Sequence, residues 1–458
     1  MIELRPYQIL GIDAIRHAFG ALRRKAVLYT LSTGGGKTVL FATIAHGAAA
    51  KGNRVLILSH RQELIDQISG ALTASDTPHG IIAAGYPASD AMAQIASVQT
   101  LIRRLERTPE PALIIADECH HARAAQWQAI LTRWPAAKIL GVTATPVRLS
   151  GEGLGELFDH LIVGPPMQAL IDGGFLAPYR VYSPPTVDAS GLHQRGGEYI
   201  AAEAEALVDT PAITGSALEH YERHARGLPA LAFCVSIKHA QAVAQQFREA
   251  GHSALSIDGT MERMMRRGIV EDFRLGRIKI IVSVDLLGEG FDVPGAHVGI
   301  FLRPTQSLGL YLQQVGRILR PCDGKQHALL LDHVGNVYRH GLPADPREWK
   351  LTYDETERRA KKPPGVRVCK QCFAALSAQT KVCPECGYEF PAKPREIEQR
   401  GGELREITAE DIARRYTRRE QGRAESLEAL RDLGRRKGYR AGWAERVWAA
   451  RMAKRAHA

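Results

Sequence analysis

Three glycines, a lysine and a threonine stand in a row at Gly34-Gly35-Gly36-Lys37-Thr38, preceded by Ser32-Thr33. Glycines in such a row let backbone N–H groups turn toward phosphate oxygens, and a helix opening after them adds a favourable dipole. Lys37 would then reach the β- and γ-phosphates of a nucleotide, and the Thr38 hydroxyl would bind Mg²⁺. The full G-x-x-x-x-G-K-[ST] pattern is not met, because Leu31 occupies its first glycine position. Eighty residues after Lys37, an apolar run from Ala112 ends in Asp117 and Glu118. Asp117 at such a strand tip would hold Mg²⁺, and Glu118 beside it would polarise the attacking water. The third group is made of cysteines. Cys369-x-x-Cys372 and Cys383-x-x-Cys386 are separated by ten residues. Two such knuckles suit tetrahedral thiolate ligation of Zn²⁺, with an iron–sulfur cluster as the rival, and a closed four-cysteine site has a structural role.

Elements of regular structure must carry these residues. Apolar runs of strand length occur at Ala26–Leu31, Arg54–Ser59, Ala112–Asp117 and Lys138–Thr143, with helical-length amphipathic stretches at Thr38–Ala50 and Arg61–Leu72. This alternation predicts a parallel sheet covered by helices. The second half repeats it, with strands expected at Ala230–Val235, Ser253–Ile257, Lys279–Val284, Val298–Phe301 and Ala328–Leu331. Its helices are expected at Ile237–Ala250, Met261–Leu275 and Leu308–Leu319. Residues 164–230 are rich in Gly, Pro and Ala and read as loops and a linker. Lys361-Lys362-Pro363-Pro364-Gly365 marks a second boundary, ahead of the cysteines and Arg-rich helical stretches. The fold class is α/β, in two similar halves with a small C-terminal zinc-binding and helical region. The expected divisions are residues 1–165, 166–352 and 353–458.

Asp117-Glu118-Cys119-His120 resembles the signature box of the DEAD/DEAH-type superfamily 2 helicases, here in a DECH form, and further segments follow in that family's order. Arg5-Pro6-Tyr7-Gln8 resembles the N-terminal segment whose Gln reads the adenine edge. Ser59-His60-Arg61-Gln62-Glu63-Leu64 and Ser97-Val98-Gln99-Thr100-Leu101 resemble the strand-gripping motifs of the first domain. Val142-Thr143-Ala144-Thr145-Pro146 resembles the motif that couples hydrolysis to domain movement. Asp285 to Pro294, with Gly290 and Asp292, resembles the fifth motif, which joins nucleotide to bound strand. Gln313-Gln314-Val315-Gly316-Arg317-Ile318-Leu319-Arg320 matches Q-x-x-G-R-x-x-R. The resemblance covers roughly residues 1–340 and implies two tandem RecA-like domains that hydrolyse ATP with Mg²⁺. It implies Arg317 and Arg320 as arginine fingers, and Arg5, Gln8, Thr33, Gly34, Gly35, Gly36, Gly290 and Asp292 around the nucleotide. It further implies His60, Arg61, Gln99, Thr100 and Ser236 on the nucleic acid, and Thr143, Thr145 and Gln313 in coupling. Within the superfamily the chain is most similar to the RadD/YejH-like bacterial and phage group, which carries a four-cysteine cluster after the second domain. That similarity favours single-stranded or forked DNA, in repair, recombination or phage replication. An RNA-remodelling ATPase and a restriction-type motor on duplex are the alternatives.

Composition limits the rest. With 45% hydrophobic and 24% charged residues, the 458-residue chain reads as an ordinary globular protein of two to four domains. No secretory signal or membrane-length apolar run is visible, so a cytoplasmic protein with reduced thiols is expected. Residues 1–354 hold 35 Lys/Arg and 34 Asp/Glu, whereas residues 355–458 hold 25 and 15. A basic tail on a neutral body suggests a polyanion partner, and Tyr439, Trp443 and Trp448 among its cations suit base stacking. A helical core, or docking of a protein partner, is the other reading of the tail. A chain ending near Asp354 is expected to keep a foldable two-domain motor.

Overall fold

The computed structural model describes residues 3–119, 125–148, 152–183, 191–284, 295–354, 364–391 and 426–456, with residues 189, 293, 421 and 424 between them. The first sheet is built from β1 (Ala26–Thr30), β2 (Val55–Ser59), β3 (His79–Ile82), β4 (Ala93–Ser97), β5 (Leu113–Asp117), β6 (Lys138–Thr143) and β7 (His160–Val163). Its lateral order is β3-β4-β2-β5-β6-β1-β7, and every pairing is parallel. Every residue of β1, β2 and β5 is buried, which is why these strands read as unbroken apolar runs. Alternate residues serve opposite faces. Val27 and Tyr29 join one core with Leu40 and Phe41 of the helix Lys37–Ala49. Leu28, Leu56 and Ile114 join another, against Trp127 and Ile130 of the helix Ala125–Arg133.

The second sheet repeats the arrangement with β8 (Tyr179–Tyr182), β11 (Ala230–Phe233), β12 (Ala254–Ile257), β13 (Ile280–Ser283), β14 (Val298–Phe301) and β15 (Ala328–Asp332), the hairpin β9–β10 (Gln194–Arg195, Glu198–Tyr199) lying between β8 and β11 in the chain. The order is β12-β13-β11-β14-β15-β8, again all parallel. The stretch expected as linker is therefore more structured than its composition suggests. It supplies the edge strand β8 and the helices Met167–Asp172, Ala201–Val208 and Pro211–Ala225. After β15 the chain returns to the first domain, where the Leu351 carbonyl accepts the Gly155 N–H at 2.8 Å.

The hairpin β16 (Val366–Val368) and β17 (Ala375–Ser377) carries the first cysteine pair and docks on β8. Tyr182 bridges Ala374, the Ser183 N–H reaches the Phe373 carbonyl at 2.9 Å, and Arg180 pairs with Glu385 at 2.9 Å. The chain divides into compact units at Met1–Pro391 and Ala392–Ala458. The cysteine module thus belongs with the two sheets rather than with the basic helices, and the body extends past Asp354. In the second unit, Ser426 caps the helix Leu427–Lys437 by accepting the Ala429 N–H, and Gly438 ends it at φ 68°. Leu430 and Ala444 pack between this helix and Trp443–Ala456. No described helix is long and apolar enough to cross a membrane.

An uncovered β8 would present unpaired backbone groups to other chains. A chain ending at Pro391 should therefore melt like the intact body. One ending at Asp354 should melt about 5–10 °C lower or aggregate, read by calorimetry and light scattering. Equal melting of the two truncations would show that the cysteine module does not stabilise the second sheet.

Candidate active site

β1 delivers the chain to Leu31, and the helix Lys37–Ala49 begins after Gly36, whose φ of 83° is left-handed. The helix has no acidic residue in its first turn and no side-chain cap, so its leading N–H groups face the cleft for an anion to accept. A Cβ on Gly36 would lie 2.5 Å from Nε2 of Gln8. Gln8 is buried beneath the loop. Its Nε2 donates to the Gly36 carbonyl at 3.1 Å, and its Oε1 accepts the Arg5 N–H at 2.9 Å. The Tyr7 hydroxyl donates to the Gly35 carbonyl at 2.8 Å and accepts from the Arg5 guanidinium at 2.9 Å. Phe175 completes this wall, 5.0 Å from the Tyr7 ring centre and 5.3 Å from the Arg5 guanidinium carbon. Nothing in the sequence around Gly173-Gly174-Phe175 signalled that position.

β5 ends at Asp117, whose Oδ1 accepts the Glu118 N–H at 3.0 Å. Glu118 sits at φ 48°, a left-handed conformation that costs a non-glycine residue about 1–2 kcal/mol. The turn brings Oε1 of Glu118 to 3.2 Å from Nζ of Lys37, both side chains nearly buried. Cys119 is fully buried behind them. Burial, then the charges of Glu118 and Asp117, push its thiol well above the usual range, so it is an inert filler.

The facing wall comes from the second sheet. The helix Leu308–Ile318 is capped by Ser307, which accepts the Leu310 N–H at 3.1 Å, and it carries the buried Arg317 at its far end. Gly316 meets the first domain so closely that a Cβ there would lie 2.3 Å from Cβ of Thr33. Arg320 follows, and burial lowers its guanidinium to about 10, which leaves it protonated at neutral pH. Between the walls lies a cleft of about 340 Å³ whose lining includes Arg5, Thr33, Lys37, Thr38, Asp117, Glu118, Arg317 and Arg320. Thr143 Oγ1 accepts the Thr145 N–H at 3.2 Å and donates to its carbonyl at 3.1 Å. The Thr145 hydroxyl lies 3.0 Å from the place a Cβ on Gly309 would take, so this turn touches the start of the arginine helix. Gln313 is buried, and its Nε2 has no hydrogen-bond partner among the described residues.

Away from the cleft, Ser59 and Ser97 pair across β2 and β4, which sets the two following segments side by side. Gln99 Nε2 donates to the His60 carbonyl at 3.2 Å, and Arg61 and Thr100 flank that bond in the chain. Ser236 belongs to the second domain, where it caps the helix Ile237–Glu249, accepting the His239 N–H and donating to Glu205. Gly290 and Asp292 lie outside the described residues. The helix Gln62–Ala74 has a second part that sequence reading missed. Its Leu64 and Gln67 line the cleft, while Glu63 pairs with Arg266 at 2.6 Å and Asp66 with Arg267 at 3.2 Å and with Arg263. A basic helix, Arg263–Arg274, thereby ties the second domain to the first.

The four cysteine sulfurs lie within 4.8 Å of one another, with Cys369–Cys386 and Cys372–Cys383 each at 3.6 Å. A tetrahedral ion with metal–sulfur bonds of about 2.3 Å needs sulfurs about 3.8 Å apart, so the set fits one metal ion. Cysteines that each hold a different iron of a cluster would stand wider.

Residues 1–148 match the family model for the type III restriction enzyme res subunit, and residues 214–322 match the helicase conserved C-terminal domain. Over 360 residues the chain is 36% identical to a 51.5 kDa protein of a Lactococcus phage, covering 78% of this chain and 76% of that one. It is 29% identical over 357 residues to "Putative ATP-dependent helicase IRC3" of Saccharomyces cerevisiae, covering 72% of this chain. The chain spans about half of that yeast relative, 51% of its length. Among solved structures, a fragment of a type I restriction enzyme from Vibrio vulnificus YJ016 superposes with a TM-score of 0.58 at 23% identity, over 72% of this chain and 64% of that one. That likeness is one of fold.

The Glu63–Arg266 pair is nearly buried on both sides and joins the two domains. A double-mutant cycle with Glu63→Gln and Arg266→Gln, followed by chemical denaturation, should give a coupling energy of about 0.5–2 kcal/mol. Additive effects would mean that the domains do not meet along this helix in solution.

Proposed function

The chain belongs to the superfamily 2 helicases, and we propose that this ATP-driven motor acts on DNA, single-stranded or forked, through the cleft between its two sheets. The match of residues 1–148 to a restriction-enzyme subunit supports DNA over RNA. The observation that carries the reading is the convergence of Lys37, Asp117 and Glu118 from one sheet with Arg317 and Arg320 from the other on a single cleft. The cysteine module after the second domain supports placement near the RadD/YejH-like group and a structural Zn²⁺ on Cys369, Cys372, Cys383 and Cys386.

In the proposed cycle the loop amides and Lys37 bind the phosphates, with Gln8 and Arg5 near the adenine end. Thr38 and Asp117 would hold the Mg²⁺ that accompanies ATP, which would supply positive charge against the phosphates. Before nucleotide enters, Lys37 neutralises Glu118 at 3.2 Å. A γ-phosphate draws Lys37 away, and Glu118 then accepts a hydrogen bond from the attacking water. Arg317 and Arg320 meet the charge that develops on the transferred group. Because those arginines ride on the second sheet, loss of the γ-phosphate removes the anion they share with Lys37. The sheets then separate, and Thr143 and Thr145 sit where that motion is felt. His60, Arg61, Gln99 and Thr100 are the proposed strand contacts of the first domain, with Ser236 contributing from the second.

The second unit is the proposed extra grip on phosphates. Residues 392–458 hold 18 Lys/Arg against 11 Asp/Glu. Deleting them should weaken DNA binding and flatten its salt dependence, since fewer phosphates are neutralised. An unchanged salt slope together with loss of a captured protein would make the tail a docking site instead.

The deciding measurement is ATP turnover with single-stranded DNA, duplex DNA, forked DNA and RNA in parallel. Stimulation by duplex alone would favour a restriction-type translocase, and stimulation by RNA alone an RNA-remodelling ATPase. Lys37→Ala should abolish turnover in a folded protein. Glu118→Gln should lower it by about 10²–10⁴-fold while still binding ATP, because only water activation is removed. Elemental analysis should find about one zinc, lost when Cys383 and Cys386 are both replaced by Ser.

A further inference from the structure

Lys325 lies five residues beyond Arg320 and belongs to none of the motifs above. The chain turns back after Pro321, closed by the Lys325 N–H on the Cys322 carbonyl at 3.2 Å. That turn sends the lysine side chain inward under the arginine helix. Its ammonium donates to three backbone carbonyls, those of Ala296 at 2.6 Å, Arg320 at 2.9 Å and Ile318. An ammonium has three donors, so this one is saturated.

The identity of those carbonyls gives the contact its meaning. Ile318 ends the helix Leu308–Ile318, where carbonyls lack an onward amide partner and carry the negative end of the helix dipole. Arg320 is itself a wall of the cleft. Ala296 follows Gly295, which lines the cleft from the loop ahead of β14. One half-buried cation therefore pins together the two second-sheet segments that face the phosphate-binding loop. Cγ of Arg320 lies 3.9 Å from the place a Cβ on Gly34 would take, so a small slip of its backbone would move the guanidinium away from that loop. Burial, opposed by Cys322 and reinforced by Arg320, lowers the ammonium to about 8. A solvated lysine in a surface turn would show no such displacement.

We propose that Lys325 is a positioning residue for ATP hydrolysis, holding the backbones of Ile318, Arg320 and Ala296 so that Arg320 meets the γ-phosphate in register. It acts through Arg320 and touches no nucleotide. The assignment rests on the ATP-hydrolysis reading of the cleft.

Lys325→Met keeps the apolar stem and removes all three donors. Its DNA-stimulated kcat should fall by about 10–100-fold, while KM for ATP stays within about twofold, because ground-state binding rests on the loop around Lys37. The same substitution placed on Arg320→Ala should add less than about a twofold loss, since the group being positioned is already gone. A general weakening of the domain would instead multiply the two losses, and that outcome overturns the proposal. So does a folded Lys325→Met enzyme with unchanged kcat, or one that loses only KM. If the Met variant does not fold, Lys325→Arg carries the comparison: its longer fork should lower kcat without KM, and the deficit should vanish on Arg320→Ala. A wild-type protein with no ATP turnover would defeat the reading and this assignment together. Turnover that depends on Lys37 but ignores Lys325 would defeat the assignment alone.

Discussion

Between Gly316 of the arginine helix and Thr33 of the phosphate-binding loop there is no room for a methyl group, since a Cβ on Gly316 would penetrate to 2.3 Å. The backbone of the arginine helix lies there directly against the Thr33 side chain, whose Cγ2 would stand 2.6 Å from the same place. A guanidinium reaches only a few ångströms beyond its helix, so Arg317 and Arg320 can address the cleft only if the helix itself comes this close. The need for small residues is mutual, because the Gly316 carbonyl would stand 3.1 Å from a Cβ on Gly34. The glycine in Q-x-x-G-R-x-x-R is thus a statement about the distance between two domains. It places the rest of the site.

Charge explains why that closeness suits an anionic ligand. Lys37, Arg317 and Arg320 line one cleft with Asp117 and Glu118, and the Lys37–Glu118 pair accounts for one cation and one anion. Arg320 has been taken far enough from water to lower its guanidinium to about 10. A polyphosphate entering such a cleft would interact strongly with these cations, because little water remains to screen them. The pairs Glu63–Arg266 and Asp66–Arg267 balance charge along the neighbouring helix, so attraction between the domains there is independent of nucleotide. Closure is therefore shared between a permanent set of ion pairs and a conditional one.

What the sequence made legible follows from the same physics. β1, β2 and β5 are buried on both faces and show as apolar runs, whereas β4 includes Gln94 and β8 includes Arg180, so neither announces a strand. The loop, the acid pair and the arginine segment could be read because their chemistry requires fixed short spacings. Phe175 and Lys325 could not, since Phe175 works by touching Tyr7 and Arg5 far away in the chain and Lys325 by touching backbone carbonyls, which no side-chain pattern marks. Arg263, Arg266 and Arg267 look like a solvated basic face, and only the fold sets Glu63 and Asp66 opposite them. The limit of the body at Pro391 was hidden for a related reason. A Pro-rich boundary at residues 361–365 is real in composition, but the contacts of the cysteine hairpin run backward to β8.

Those backward contacts connect the cysteine module to the cleft. The hairpin holds Tyr182 and Ser183 at one end of β8 through Ala374 and Phe373. At the other end, the Pro178 carbonyl accepts the Ala328 N–H at 2.7 Å, and the Ala177 N–H donates to the Leu319 carbonyl at 2.8 Å. Leu319 caps the arginine helix. Just before Ala177, Leu176 stands 2.8 Å from the place a Cβ on Gly34 would take, and Phe175 flanks Tyr7 and Arg5. β8 is thus held by the cysteine hairpin at one end and by both walls of the cleft at the other. An edge strand held at only one end would fray, and fraying here would loosen Phe175, Leu176 and the cap of the arginine helix at once. A closed four-cysteine site has no chemistry of its own to offer the motor. Its contribution is mechanical, keeping straight the strand from which the nucleotide pocket is hung.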